Sequence, residues 1–315
     1  GADILASFTD QVLDIVISPD GNSVFIAVGD ETTRKLSALD LTLEATFNGH
    51  GAGVLPHAIT VSPDGNFVYV GEFFGNGTIY KLNAGDLTQV LDANGTPLQV
   101  SLLNNPFPGG VNVSLVIDPI DGSFIYSSHY GGEFFNGFPG CVKIRTSDMT
   151  IVATRDLSEY GDNCASSAIS TDGKTLYLGM VTQLVELNSQ DLSLKDSINL
   201  GSTTNIRSCA SSKDDQFVFV GERGGNSSIK LSVSNGLQVV STFESGGGDG
   251  IAISPDGKFL YSGGDGGNIF QIDVVDMSQV GINSDHTGGM RRIATSAGER
   301  VAGLDFQIHP LILAR

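Results

Sequence analysis

The sequence predicts an all-β fold, a seven-bladed β-propeller built as a single domain from residues 1–315. The first observation is a turn tetrad of the Ser-Pro-Asp-Gly type that recurs seven times, each time between two short runs of β-branched or aromatic residues. The second observation is the spacing, because a repeat of about 40 to 50 residues in a mainly β chain is typical of propellers. The tetrads are 42 to 56 residues apart and begin at Ser18, Ser62, Asp118, Ser170, Ser212, Ser254 and Ser296.

Each repeat contains four predicted strands. In "IAISPDGKFLYSG" two strands flank the tetrad, because proline presets the first dihedral of the turn and glycine tolerates positive φ. A third strand follows, as in "IFQID", then a short turn that often ends in Asp-Leu or Asp-Met, and a fourth strand such as "VVSTF". We expect these four strands to form one blade.

The two ends of the chain are expected to share the last blade. The seventh repeat ends after "FQIHPLILAR", one strand short, while "ILASFTD" precedes the first tetrad and has the pattern of a fourth strand. Pairing of these two segments would close the ring and remove two exposed sheet edges.

The tandem units also carry a resemblance. Segments such as "HAITVSPDGNFVYVGE" resemble the blades of YVTN-type surface-layer propellers and, less closely, those of seven-bladed lactonases. The tetrapeptide YVTN itself is replaced by "VYVG", "LYLG" or "VFVG". The resemblance implies a seven-bladed propeller at a cell surface, and it specifies the fold better than the function.

Charge, composition and missing motifs limit the partners, locations and activities that we expect for the chain. The net charge of −18 repels nucleic acid, so we expect no nucleic-acid partner. No apolar run is long enough for a transmembrane segment. The start "GADILASF" lacks an initiating methionine, as expected if a targeting segment has been removed, and favours an extracellular or cell-surface location. The motifs of the commonest enzyme classes do not occur.

A ring of polar residues is expected at one opening of the central channel. The first strand of a blade runs down the channel to the tetrad and the second strand returns, so both free ends of this hairpin lie at the same opening. Arg207, Asp249 and Arg291 stand there as candidates for ligand binding, or pair with one another around a water-filled channel.

Imidazoles and carboxylates at the same opening suggest two further interpretations. They can bind a divalent cation such as calcium or a sugar, or they can supply a base for lactone or ester hydrolysis. A function without any cofactor stays open beside these. The catalytic candidates are His57, Glu72, His129 and Glu222.

Long loops in the second and third repeats carry clustered aromatic residues. Exposed aromatic clusters mark binding surfaces, although long loops also fold over a blade with aromatics as a local core. The candidate interface residues are Phe73, Phe74, Phe107, Tyr130, Phe134, Phe135 and Phe138.

Two kinds of covalent modification are also predicted. Cys141 and Cys164 are the candidate disulfide pair, and Cys209, inside an innermost strand, is expected to be a small buried hydrophobe. Candidate glycosylation sites are the sequons at Asn76, Asn94, Asn112 and Asn226.

The favoured function is therefore a non-catalytic binding or structural module outside the cell, a glycoprotein subunit of a surface layer or filament. It would contact a protein partner, or further copies of itself, through the aromatic loops of blades 2 and 3. A lactonase-like hydrolase and a cation or sugar binder are the alternatives.

Overall fold

The computed structural model describes residues 11–73, 75–102, 111–131, 138–201, 205–223, 227–244, 248–264, 267–284, 290–295, 301–305 and 312–314. These residues form antiparallel sheets in which consecutive strands are neighbours. Blade 1 consists of β1 (Val12–Ile17), β2 (Ser23–Val28), β3 (Thr32–Ser37) and β4 (Leu43–Phe47). Blade 2 consists of β5 (Pro56–Val61), β6 (Phe67–Glu72), β7 (Thr78–Asn83) and β8 (Gln99–Ser101). Blade 3 consists of β9 (Val111–Ile117), β10 (Phe124–Tyr130), β11 (Gly140–Arg145) and β12 (Thr150–Asp156).

The second half of the chain repeats this architecture after a short 3-10 helix at Ser158–Tyr160. Blade 4 consists of β13 (Cys164–Ile169), β14 (Thr175–Met180), β15 (Gln183–Asn188) and β16 (Leu194–Asn199). Blade 5 consists of β17 (Ile206–Ser211), β18 (Phe217–Glu222), β19 (Ser227–Ser232) and β20 (Gln238–Phe243). Blade 6 consists of β21 (Gly250–Ile253), β22 (Phe259–Gly263), β23 (Ile269–Asp273) and β24 (Gln279–Asn283).

The predicted number of blades is wrong, because the described residues form six four-stranded blades, not seven. The seventh repeat yields a three-stranded closing sheet of β25 (Met290–Thr295), β26 (Val301–Asp305) and β27 (Ile312–Ala314). Each tetrad marks one inner hairpin of two strands and does not show whether a blade is complete. The last hairpin, β25 and β26, pairs with one further described strand, β27, which has only three residues. The segment "ILASFTD", predicted to complete this sheet, lies outside the described residues.

The sheets surround a central channel. The first strands of successive blades contact one another from β1 to β21, and β25 of the closing sheet contacts both β21 and β1. We call the side of the ring with the tetrads the bottom face and the opposite side the top face. The turns between third and fourth strands also lie on the bottom face, because neighbouring strands are antiparallel.

The tetrads are rigid, hydrogen-bonded turns. In blade 1 the Ser18 hydroxyl donates to the Asp20 carboxylate over 2.6 Å and accepts from the backbone N–H of Ser23 over 2.9 Å. Gly21 has φ of 72°, a conformation that glycine adopts without steric cost. The hydrogen bond from Ser18, together with those from Asn22, holds the pKa of Asp20 below its ordinary value. The Ser–Asp bond recurs at Ser62, Ser170, Ser212 and Ser254.

Aromatic side chains of the second strands join neighbouring blades. Tyr126 of β10 packs with Leu176 and Leu178 of blade 4, and its hydroxyl donates to the Ser189 carbonyl over 3.1 Å. Complete burial of such a side chain stabilises the fold by about 1.5–3 kcal/mol. The fully buried aromatic residues of the second strands are Phe25, Tyr69, Tyr126, Tyr177 and Phe219.

Lysines of the third strands add polar bonds between blades. Lys143 donates to the carbonyls of Ser189 and Gln190 in blade 4, each over 2.9 Å, and its ammonium lies 4.0 Å from the centre of the Phe124 ring. Desolvation lowers the pKa of this lysine. Equivalent bonds reach the next blade from Lys35, Lys81 and Lys230. The bottom half of the blade interfaces is thus held by both apolar and charge-assisted contacts.

Candidate functional site

Four half-buried side chains form a cluster on the top face, which we call the rim cluster: His57, Phe73, Tyr130 and Arg207. His57 is the second residue of β5, the channel-lining strand of blade 2, and its ring lies 4.7 Å from that of Phe73. Phe73 meets Tyr130 of blade 3 edge to face, with ring centres 6.1 Å apart. Arg207 of blade 5 donates from Nη1 to the Tyr130 hydroxyl. The cluster therefore connects three blades at the channel mouth.

The reach of Arg207 depends on blade 4, which lies between its own blade and that of Tyr130. The blade 4 residue at the position corresponding to His57 and Arg207 is Ala165, which is buried. Because a methyl group projects little from the strand, the arginine can extend over blade 4 to the tyrosine. Sequence reasoning placed Arg207 and Tyr130 in separate groups, and the structure brings them together.

Asp249, another predicted ring residue, has a described neighbour outside the predicted ring. Its buried carboxylate lies 3.7 Å from Nε of Arg223, which follows the second strand of blade 5. The side chain of Arg291 lies outside the described residues. Thus Arg207 contacts a tyrosine and Asp249 contacts Arg223.

Glu72 belongs to a buried polar network between blades 1 and 2. Its Oε1 accepts from the Tyr80 hydroxyl over 2.9 Å and lies 3.4 Å from Nδ1 of His50, whose Nε2 is 2.9 Å from the Thr33 hydroxyl. The tautomer with a proton on Nδ1 satisfies both contacts of His50, since Nε2 then accepts from Thr33. Burial, then the charge of Glu72, raises the pKa of Tyr80. Sequence reasoning missed His50 and Thr33.

Glu222 and His129 are also inside the blades. Glu222 accepts a hydrogen bond from the Ser227 hydroxyl within blade 5. His129 is fully buried, and desolvation lowers the pKa of its imidazole to about 3, so the ring is neutral at physiological pH. Of the four catalytic candidates, only His57 lies in the rim cluster.

The structure describes three of the seven aromatic interface candidates. Phe73 and Tyr130 belong to the rim cluster, and Phe138 is half exposed just before β11. The others, Phe74, Phe107, Phe134 and Phe135, lie outside the described residues.

One predicted glycosylation site is inaccessible. The Asn112 side chain is fully buried and donates to the carbonyls of Glu72 and Gly77, each over 3.0 Å. An amide that holds two blades together cannot also carry a glycan in the folded chain. Asn76 and Asn94 are exposed, and Asn226 lies outside the described residues.

The predicted disulfide is not formed, and Cys141 and Cys164 are buried free thiols in neighbouring blades. Both pack in one apolar core, where burial raises the pKa of the Cys141 thiol to about 12. Cys209 is also a free thiol, and it lies in β17 beside the Ser166 hydroxyl at 3.2 Å.

Two features of the described residues bear on cofactors and membranes. In that part of the chain, no three His, Cys, Asp or Glu side chains come together as a metal site. The predicted calcium ion stays a prediction. None of the helices in the same part is long and apolar enough to cross a bilayer.

Comparisons with known proteins show a partial match to one family of repeats and a fold shared with one solved structure. A family model described as WD40 (WD domain, G-beta repeat) matches residues 41–80 and 239–273. Among solved structures, the chain is similar to the β-propeller domain of Cps50 (Swd1) from Myceliophteria thermophila. The two are 11% identical, the match covers 100% of each chain, and the TM-score is 0.79, which shows a common fold. No curated protein matches the sequence.

These matches correct the resemblance to YVTN-type propellers. The Ser-Pro-Asp-Gly hairpin is imposed by turn geometry and does not distinguish propeller families. The more specific signal is Gly49-His50, which lies in the first matched segment and corresponds to the Gly-His signature of WD40 repeats. The chain is a β-propeller in which two segments, residues 41–80 and 239–273, match the WD40 repeat.

Proposed function

We propose that the chain is a non-catalytic protein-interaction module whose partner binds the top face at blades 2 and 3. The observation that carries this proposal is the rim cluster, in which aromatic and cationic side chains from three blades meet at the channel mouth. Tyrosine and arginine are enriched among residues that dominate binding energy. Half-buried side chains held by one another also lose little conformational entropy when a partner covers them.

The fold supports the same function. WD40 propellers generally mediate protein–protein interactions, and two segments of this chain match that repeat. The blades are joined by buried aromatics and, in their bottom half, by lysine bonds, so the top face is carried by blades that are packed against one another. The exposed Phe138 extends this face beside the rim cluster.

The proposal also concerns where the protein acts and whether it forms part of a larger assembly. We propose a protein that acts outside the cell or at its surface, as one subunit of a larger assembly. The net charge of −18 would keep unassembled copies apart in solution. Cell fractionation tests the location, and light scattering of the purified chain tests self-assembly.

A paired set of variants tests the binding face. Phe73→Ala combined with Tyr130→Ala removes the centre of the rim cluster, and Ile120→Ala removes an apolar side chain that is 65% exposed on the bottom face. Partners are cross-linked in extracts of the native source and identified by mass spectrometry. We expect a partner that the wild type and Ile120→Ala retain and that the double variant loses about tenfold or more. A partner retained equally by all three proteins would refute the proposed face.

The hydrolase and metal hypotheses have direct tests. Lactone or ester hydrolysis that disappears in His57→Ala would replace the binding proposal with a catalytic one. Elemental analysis of the purified protein, before and after dialysis against a chelator, tests for bound calcium.

A further inference from the structure

Blades 5 and 6 carry an unusual concentration of exposed apolar side chains on the outer edge of the ring. We call this surface the blade 5–6 edge. Four of the chain's twelve described exposed large hydrophobic residues lie there, and a fifth, Val275, is 80% exposed in the adjoining turn between β23 and β24. The four residues are Val239, Val240, Val280 and Ile282.

The outer strands of these two blades, like the short β8 of blade 2, also lack the charges that protect the edges of the other described four-stranded blades. Among the described blades, β4 contains Glu44, β12 contains Arg155 and Asp156, and β16 contains Lys195 and Asp196. By contrast, β20 ("QVVSTF") and β24 ("QVGIN") contain no charged residue. Charged side chains on edge strands prevent pairing with further strands, so these two edges are open to it.

The local geometry limits how long such a pairing can be. Each of these five outer strands has an irregular register next to its third strand, and in β24 the irregularity falls at Val280. Regular pairing of β24 covers Gly281–Asn283, opposite Ile269–Gln271. Ile282 lies directly opposite Phe270, which contacts Phe243 of blade 5, so Ile282 extends the apolar interface between the two blades. A strand added along β24 would therefore be short, and contacts with exposed side chains such as Ile282 would contribute to its affinity.

The charge around the blade 5–6 edge indicates what kind of segment binds. Two acidic residues flank the outer strands, since Glu244 follows β20 and Asp276 lies in the turn before β24, whereas the nearby Lys230 is buried and donates to the carbonyls of Val274 and Val275. Hydrogen bonds from Ser278 keep the pKa of the Asp276 carboxyl below the ordinary value, so it is ionised at neutral pH. A second copy of this acidic chain would be repelled, whereas a segment with lysine or arginine beside its apolar residues would be attracted.

We propose that the blade 5–6 edge binds an extended segment of a partner protein that adds a short fifth strand along β24. The segment is apolar or β-branched over about four residues and carries basic residues at its ends. This surface is separate from the rim cluster, so the proposal does not depend on the function proposed for the top face.

A synthetic peptide tests this inference on the full chain. The probe is a fluorescein-labelled peptide of alternating valine and threonine with two lysines at each end, and binding is measured by fluorescence anisotropy. The variant Val280→Ser/Ile282→Ser removes the apolar contacts without changing charge. Leu194→Ser on β16 is the matched control, since Leu194 is a similarly exposed residue on a charged edge.

We expect the peptide to bind the wild type and Leu194→Ser equally, and the double variant about tenfold more weakly. Glutamates in place of the lysines, or methyl groups on alternate peptide nitrogens, should each abolish binding. Three results would overturn the proposal: equal binding to the double variant, undiminished binding of the N-methylated peptide, or absence of binding up to about 1 mM. Sedimentation showing self-association that the double variant abolishes would assign the edge to a second copy instead.

Discussion

The contact between the tetrads of blades 4 and 5 allows a sharp test of how the bottom face is held together. Asp215 stands where the tetrads of blades 1, 2, 4 and 6 have glycine, and its carboxylate accepts from the Thr171 N–H and hydroxyl, each over 2.7 Å, and from the Asp172 N–H over 3.0 Å. Thr171 in turn stands where the tetrads of blades 1, 2, 3 and 6 have proline. Between blades 1 and 2 the same place is filled by contact of Gly65 with Pro19. The aspartate in place of glycine and the threonine in place of proline therefore compensate each other.

The expected energies follow from these bonds. Three surface hydrogen bonds to a carboxylate are worth roughly 0.5 kcal/mol each. Asp215→Gly loses them but relieves a positive φ of 54°, so the net destabilisation is about 1 kcal/mol. Thr171→Pro removes two of the donors and costs about 1 kcal/mol. The double variant recreates the Pro–Gly contact, and we expect it to recover about 1 kcal/mol of the summed loss.

Scanning calorimetry and urea unfolding followed by tyrosine fluorescence measure this cycle, since the chain has no tryptophan. In a chain of this size, 1 kcal/mol shifts the melting temperature by about 1–2 °C. If the effects of the two single substitutions simply add within about 0.3 kcal/mol, the residues are not coupled and the reasoning fails.

Two further predictions concern the blade interfaces and the tetrads. Lys143→Met removes the lysine donor from the Gln190 carbonyl and one of two donors from the Ser189 carbonyl, and we expect it to destabilise the chain by about 1–3 kcal/mol in urea unfolding. Lys213→Met, at an exposed position, is the control and should change stability by less than about 0.5 kcal/mol. Hydrogen bonds from Lys174 and Ser170 lower the pKa of Asp172 to about 2, so its stabilising effect is complete above about pH 4 and is lost as the pH falls towards 2. Calorimetry from pH 6 to pH 2 should therefore show a shallower loss of melting temperature for Asp172→Asn than for the wild type, and identical slopes would contradict this assignment.

The inner part of each blade was predictable from the sequence because its rules are local. The Ser-Pro-Asp-Gly tetrads form the expected hairpins, and third and fourth strands such as "IFQID" and "VVSTF" are where the pattern placed them. The number of complete blades was not predictable in this way, since a tetrad specifies two strands and says nothing about whether two more follow. The family assignment failed for a related reason, because a turn motif that is set by backbone geometry recurs in unrelated propellers.

The candidate site was predictable only as a location. The repeat placed His57, Tyr130 and Arg207 at the top face, but it could not show that Arg207 crosses blade 4 to reach Tyr130. Glu72 was assigned to the channel mouth because strand ends were treated as exposed, whereas its carboxylate lies among side chains of blades 1 and 2. The buried network of Glu72 and His50 joins side chains from two blades, so it depends on which blades are neighbours. The dipeptide Gly49-His50, which contains one of its members, was the signal for it in the sequence.

The described lysine bonds between blades all run in one direction, each from one blade to its successor. Among the described residues they link blade 1 to 2, 2 to 3, 3 to 4 and 5 to 6, while Asp196 of blade 4 accepts from the Leu237 N–H of blade 5. At the closing sheet, the described side-chain bond to blade 6 is that of Thr295 to the Ile253 carbonyl. A movement of the third strand of blade 1, 2, 3 or 5 would thus pull on the turn of the following blade, and loss of one of these lysines should speed hydrogen exchange first in the two blades that it joins.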